Sequence, residues 1–195
     1  MKLTLITALV VVCSCTSMGD KTKENTQHSS QQLVVFTNKT EANNLTLNGH
    51  KEGKWLEYLD RDEVPIGDTA YAVFYKLTVY KDGYPTGIVR EYFKNGKLAN
   101  ECTYFNGQRN GIEKVYYKNG NLMWLAQETN GKTEGLVKGY YESGKLKSEA
   151  NWANNLPNGI YKEYYENGKL KSETTYTAGK AEETKNYDEN GEEIQ

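Results

Sequence analysis

Four glycines, Gly87, Gly111, Gly135 and Gly159, stand 24 residues apart, and the sequence between them repeats. The units read GIVREYFKNGKLANECTYFNGQRN, GIEKVYYKNGNLMWLAQETNGKTE, GLVKGYYESGKLKSEANWANNLPN and GIYKEYYENGKLKSETTYTAGKAE, and a partial unit, ETKNYDENGEEIQ, closes the chain. A short fixed period means that each unit buries apolar surface against its neighbours and not around a common core. Every unit carries an aromatic pair: Tyr92-Phe93, Tyr116-Tyr117, Tyr140-Tyr141 and Tyr164-Tyr165. Asn-Gly or Ser-Gly follows (Asn95-Gly96, Asn119-Gly120, Ser143-Gly144, Asn167-Gly168), then Leu98, Leu122, Leu146 and Leu170. A second turn signal falls at Asn106-Gly107, Asn130-Gly131, Asn154-Asn155 and Ala178-Gly179.

Asn-Gly between β-formers is the strongest short hairpin signal, because a type I′ turn needs positive φ at both central residues. Two such turns per unit predict an all-β fold, an elongated single-layer antiparallel meander of 24-residue β-hairpin repeats. Strands lie ~4.8 Å apart, so each unit advances the sheet by roughly 10 Å. With two-residue turns, Phe93 faces Leu98, Tyr92 faces Ala99 and Arg90 faces Glu101. Lys138 then faces Glu149 and Lys162 faces Glu173, while the second unit sets Lys114 against Leu125. One face would carry the Phe93 row, the Leu row, Cys102/Ala126/Ala150/Thr174 and Tyr104/Trp152/Tyr176. The other would carry Ile88/Ile112/Leu136/Ile160, the Tyr92 row and the charged pairs. The first face is the more apolar and is expected to pack better. A three-residue turn with a bulge would shift the register by one and exchange faces.

Residues 33–86 read as degenerate first repeats. GKWLEYLD from Gly53 matches the start of GIVREYFK, and about ten residues are inserted near 61–71. Residues 45–49 close a still earlier half-unit, and the apolar run 33–37 is expected to form an edge strand. Residues 87–195 hold the four full units and the partial one.

The N-terminus has a different character. Met1-Lys2 precedes a ten-residue apolar segment, residues 3–12. It is too short for a ~30 Å hydrocarbon core and reads as a signal peptide covering residues 1–14. Val12-Cys13-Ser14-Cys15 resembles a bacterial lipobox, with small Ser14 before the cysteine that takes lipid. The resemblance makes Cys15 the lipid attachment site and the new N-terminus. It also discards Cys13, leaves Cys102 a lone thiol, and places the protein in the bacterial cell envelope. Residues 16–32 are polar with no aromatic, and residues 15–32 form a flexible tether. Its reach is roughly 20–25 Å.

Composition narrows the function. The hydrophobic share is 37%, yet 16 Tyr and a net charge of only −2 argue against disorder. Acidic and basic residues are interspersed with no basic stripe, so no nucleic-acid partner is expected. The histidines, His28 and His50, lie outside the regular units, which argues against a His-based metal site or Ser–His pair. No P-loop, G-x-S-x-G, C-x-x-C or H-E-x-x-H occurs. The Glu101/Glu149/Glu173 row invites a carboxylate dyad, but each glutamate repeats along a surface. Catalysis needs a unique site with shifted pKa values. No enzyme, cofactor or metal is expected.

The pattern Gly-x-x-x-x-Tyr-aromatic-x-Asn-Gly-x-Leu, with its later Glu, Tyr and Asn-Gly, resembles the MORN-repeat variant from about Gly49 to Gln195. The resemblance implies a non-enzymatic scaffold for protein or lipid-surface contacts. Members of that family also occur as antitoxin components of toxin–antitoxin systems. With the lipobox, it implies a membrane-anchored envelope lipoprotein that binds an unknown protein. The aromatic rows also resemble the Tyr/Trp-rich hairpin repeats of bacterial cell-wall-binding modules, which implies an envelope glycan as the alternative partner. Trp124 and Trp152 break the repeat. With Tyr104 and Tyr176 they are the candidate partner contacts.

Overall fold

The computed structural model describes residues 36–194. The signal segment, Cys13, Cys15, His28, the tether and residues 33–35 lie outside the described residues. The chain divides into two units, Met1–Gln32 and Leu33–Gln195, and all described residues fall in the second.

That unit is one open antiparallel sheet of 14 strands. The strands are β1 (Leu45–Leu47), β2 (His50–Leu59), β3 (Phe74–Lys81), β4 (Tyr84–Phe93), β5 (Leu98–Phe105), β6 (Gln108–Arg109) and β7 (Gly111–Tyr116). There follow β8 (Leu122–Thr129), β9 (Lys132–Tyr140), β10 (Leu146–Ala153), β11 (Leu156–Tyr164), β12 (Leu170–Thr177), β13 (Lys180–Tyr187) and β14 (Glu193–Ile194). Spatial order follows chain order, with short β6 branching off β5. Helix is confined, among the described residues, to a 3₁₀ turn at Lys39–Glu41 capped by the Asn38 side chain. Residues 60–73 connect β2 to β3.

The turns at the two ends of the strands differ in type. Asn48-Gly49, Asp82-Gly83, Asn106-Gly107, Asn130-Gly131, Asn154-Asn155 and Ala178-Gly179 have positive φ at both residues, as type I′ requires. At Asn95-Gly96 and its repeats only the glycine has positive φ. There Phe93 donates to the Lys97 carbonyl at 2.8 Å and accepts from Gly96 at 2.8 Å. This is a three-residue type I turn closed by a glycine bulge, against the two-residue turn expected. Tyr117, Tyr141, Tyr165 and Asp188 repeat it.

The longer turn does not exchange the faces of the whole strand. A second irregularity, at Ala99, restores the register: Tyr92 pairs with Leu98, but Glu91 pairs with Asn100 and Arg90 with Glu101. Met123, Lys147 and Lys171 are skipped in the same way. So Arg90–Glu101, Lys138–Glu149, Lys162–Glu173 and Lys114–Leu125 stand opposed as expected. The expected Phe93–Leu98 and Tyr92–Ala99 pairs do not form. Leu98, Leu122, Leu146 and Leu170 instead share a face with the Tyr92 row.

The unit-start glycines sit in wider bulges. Val79 pairs with Thr86 and Leu77 with Arg90, so Thr78 alone opposes residues 87–89. Gly87 opens that bulge with φ +73, Gly135 opens its own with +74, and Gly159 sits in the middle of its bulge with +96. Positive φ costs a residue with a Cβ about 1–2 kcal/mol, which is the physical reason for the 24-residue glycine period.

The better-packed face is the one expected. Its central row is small: Thr78, Val89, Cys102, Ala126, Val137, Ala150 and Thr174 are all buried. Large side chains flank the row on either side. Consecutive units are also stitched at the long turns. The Tyr117, Tyr141 and Tyr165 hydroxyls donate to the Tyr140, Tyr164 and Tyr187 carbonyls at 2.8, 2.6 and 2.8 Å. Lys97 and Lys145 donate to the carbonyls of Asn119 and Glu166 in the next turn.

Of the edge strand expected at 33–37 only Phe36 and Thr37 are described; both lie outside any strand, and Phe36 is fully buried against Leu77 and Val79. Leu56, Tyr75, Tyr92 and Ala42 complete that small core.

Candidate interaction face

The two faces differ in what they leave exposed. On the packed face, the candidate aromatics stand over glycines. Tyr104 pairs with Gly87, Trp152 with Gly135 and Tyr176 with Gly159. Trp124 stands in the neighbouring row, and its ring meets that of Trp152 edge-on at 6.1 Å. Tyr176 meets Tyr161 at 6.0 Å in the same manner. Such edge contacts contribute about 0.5–1.5 kcal/mol beyond burial. Trp152 Nε1 is buried with no hydrogen-bond partner among the described residues. The structure thus brings Trp124 and Trp152 together and keeps Tyr104 and Tyr176 in separate units.

The second unit carries charge where the others are apolar. Buried Glu113 takes the place of Val89 and Val137, and buried Glu128 takes the place of the aromatic. Arg109 reaches Glu113 at 3.1 Å, Asn100 donates to it, and Thr133 donates to Glu128 at 2.8 Å. Each buried carboxylate therefore has partners. Cys102, beside them, is buried and unpaired in any disulfide. Burial, with Glu113 and Glu128 nearby, pushes its thiol pKa up to about 12.

The opposite face carries the charged pairs and an exposed apolar row. Arg90 Nε meets Glu101 Oε2 at 2.6 Å, and Lys138 and Lys162 stand 3.6 Å from Glu149 and Glu173. Tyr164 donates to Glu149 at 2.8 Å. Burial and that carboxylate push the Tyr164 phenol up to about 12. Beside these pairs Ile112, Leu136 and Ile160 remain 45%, 50% and 49% exposed. Between Leu136 and Ile160, over β10, lies a shallow furrow of about 250 Å³ lined also by Glu149, Asn151 and Lys162. Sequence reasoning placed this row on the charged face but did not single it out. Its signal was an aliphatic residue directly after each unit-start glycine.

Among the described residues no three His, Cys, Asp or Glu side chains cluster as metal ligands would, and no helix is long and apolar enough to cross a membrane.

An open sheet of stacked hairpin units with one tightly filled face and one exposed apolar row defines a β-hairpin repeat protein. Its units are similar to a known family: residues 85–106, 109–123, 133–154 and 157–178 match the MORN repeat variant. The second match stops at residue 123, where Trp124, Leu125 and Glu128 depart from the other units. MORN repeats suggest a repeat scaffold for protein or membrane interaction. No curated protein matches the chain.

Proposed function

We propose that this protein is a lipid-anchored scaffold of the bacterial cell envelope that binds another protein on its exposed apolar row. The carrying observation is Ile112, Leu136 and Ile160, each about half exposed in successive units beside the charged pairs. Aliphatic side chains held in register on an uncovered sheet are a recognition surface, because covering each removes apolar area from water at about 25 cal/mol per Å². The lipobox-like Val12-Cys13-Ser14-Cys15 supports lipid attachment at Cys15 and a tether between membrane and sheet. The role is binding and not catalysis: the Glu101, Glu149 and Glu173 carboxylates each face a cation, which suits a structural row.

Two experiments test the reading. Cells grown with labelled palmitate should label the protein, and Cys15→Ala should abolish the label and release the protein from membranes. A photocrosslinker at Leu136 should capture one dominant protein in native membranes, and one at exposed Tyr71 should not. Label retained in Cys15→Ala overturns the anchor. Capture of envelope glycan, lost in Trp152→Ala, would move the binding surface to the aromatic face.

A further inference from the structure

The furrow over β10 has a filled counterpart in the first unit. Aligned on the unit-start glycine, Lys54 corresponds to Leu136, and Ile88 and Arg90 to Ile160 and Lys162. Aligned on the following aromatic, Leu77 and Val79 correspond to Glu149 and Asn151. The place over Leu77 and Val79 is taken by Phe36, fully buried, with the Lys54 ammonium 5.5 Å from its ring centre. The same place over Glu149 and Asn151 is the open furrow. In the first unit this position is covered by one apolar side chain from a segment outside the sheet, over an apolar floor; in the furrow the floor is polar and the apolar contact is offered by the walls, Leu136 and Ile160.

The furrow is smaller than the about 300–1,000 Å³ of small-molecule sites. It suits one side chain, and the row repeats every two strands, about 9.6 Å. That spacing selects the conformation of an occupant running across the strands. An extended β-segment presents alternate residues on one side, every ~6.6 Å or ~13 Å. An α-helix presents i and i+7 about 10.5 Å apart and drifts off the row. A polyproline II segment turns every three residues and rises ~3.1 Å per residue, so every third side chain points the same way at ~9.3 Å. Its backbone makes no internal hydrogen bonds, and exposed Asn151 and Thr175 beside the row can bond to it.

We infer that the Ile112–Leu136–Ile160 row binds a polyproline II segment of a partner protein that carries an apolar residue at every third position. This rests on the reading of the row as the protein-binding face. The test titrates the lipid-anchored protein in detergent against fluorescent (Phe-Pro-Pro)₄ and against (Phe-Pro-Pro-Pro)₄, by anisotropy. The three-residue spacing should bind at least tenfold more tightly than the four-residue spacing. Leu136→Asp and Ile160→Asp should each weaken it at least tenfold, and Tyr71→Asp should leave it unchanged. The exposed positions permit both variants to fold, which unchanged circular dichroism verifies. Equal affinity for the two spacings, no binding of either, or binding that survives both variants overturns the inference. So does a dimer in sedimentation that Leu136→Asp dissociates, because the occupant is then a second copy. A protein crosslinked at Leu136 alongside peptides that fail to bind sinks the inference and leaves the interaction face standing; failure of both sinks both.

Discussion

Trp152 stands directly across the ladder from Gly135, on the packed face between β9 and β10. The glycine holds φ at +74 in the bulge. A Cβ built at Gly135 meets nothing within 4 Å, so the backbone alone resists substitution. Gly135→Ala should destabilise the sheet by about 1–2 kcal/mol, read as a lower urea midpoint. Ala178 has φ +47 in a turn where its counterparts are Asn or, at Asp82, Asp. Ala178→Asn should therefore raise the midpoint, since Asn accepts the left-handed region more readily than Ala. A lowered midpoint in that variant would mean the turn is not left-handed at this residue.

Arg90 and Glu101 form the most protected ion pair of the charged face, with side chains 13% and 21% exposed. Lys162 and Glu173 are 39% and 30% exposed. Glu101→Ala should cost about 1.5–3 kcal/mol, because it strands a largely buried guanidinium. Glu173→Ala should cost under about 1 kcal/mol, as exposed pairs do. Urea unfolding of the two variants checks the order, and equal costs would contradict the difference in burial.

These pairs show how far the sequence could be read. The 24-residue period, the all-β fold and the opposed charges were legible, because two irregularities per long turn cancel before residue 90 is reached. The turn type was not, because Asn-Gly serves both type I′ and a type I turn with a glycine bulge. Ser143-Gly144 held the missed signal: Ser is a poor residue for the positive φ that type I′ demands at its first position. The placement of Leu98 failed for the same reason, since it lies between the two irregularities. The sequence at Phe36 reads as an edge strand because a short apolar run cannot distinguish a strand from a ring laid over one. The aromatic candidates were legible as rows. That Tyr104, Trp152 and Tyr176 each stand opposite a unit-start glycine was visible only once the register was known.

Tyr117, Tyr141 and Tyr165 each tie one unit to the next through a single hydroxyl. Phe93 occupies the same position in the first full unit and instead meets Phe74 at 5.5 Å. Tyr141→Phe should cost about 0.5–1.5 kcal/mol, one net hydrogen bond, with the spectrum of the folded state unchanged. Protection against amide exchange should fall first on either side of that junction, because repeat units depend on nearest-neighbour contacts. Uniform loss along the sheet would argue against unit-by-unit coupling.

Cys102 supplies the pH dependence. Its thiol is pushed from 9.0 up to about 12, chiefly by burial. A group whose folded pKa lies above its unfolded value favours the folded state fully below the unfolded value, and the contribution is lost as pH rises towards the folded one. Stability should therefore be flat from neutral pH to about 9 and fall between about 9 and 12. Tyr164, raised from 10.0 to about 12 beside Glu149, adds to the upper part of that fall. Cys102→Ala should flatten the early part, because Ala126 and Ala150 already fill the same row without a thiol. The measurement is the urea midpoint at pH 7, 9 and 10.5 in a chain with Cys13→Ser and Cys15→Ser. In that background a thiol reagent at pH 8 should react only after unfolding. Rapid labelling of the folded protein would mean that the packed row opens, and the pH profile should then be the same with and without Cys102.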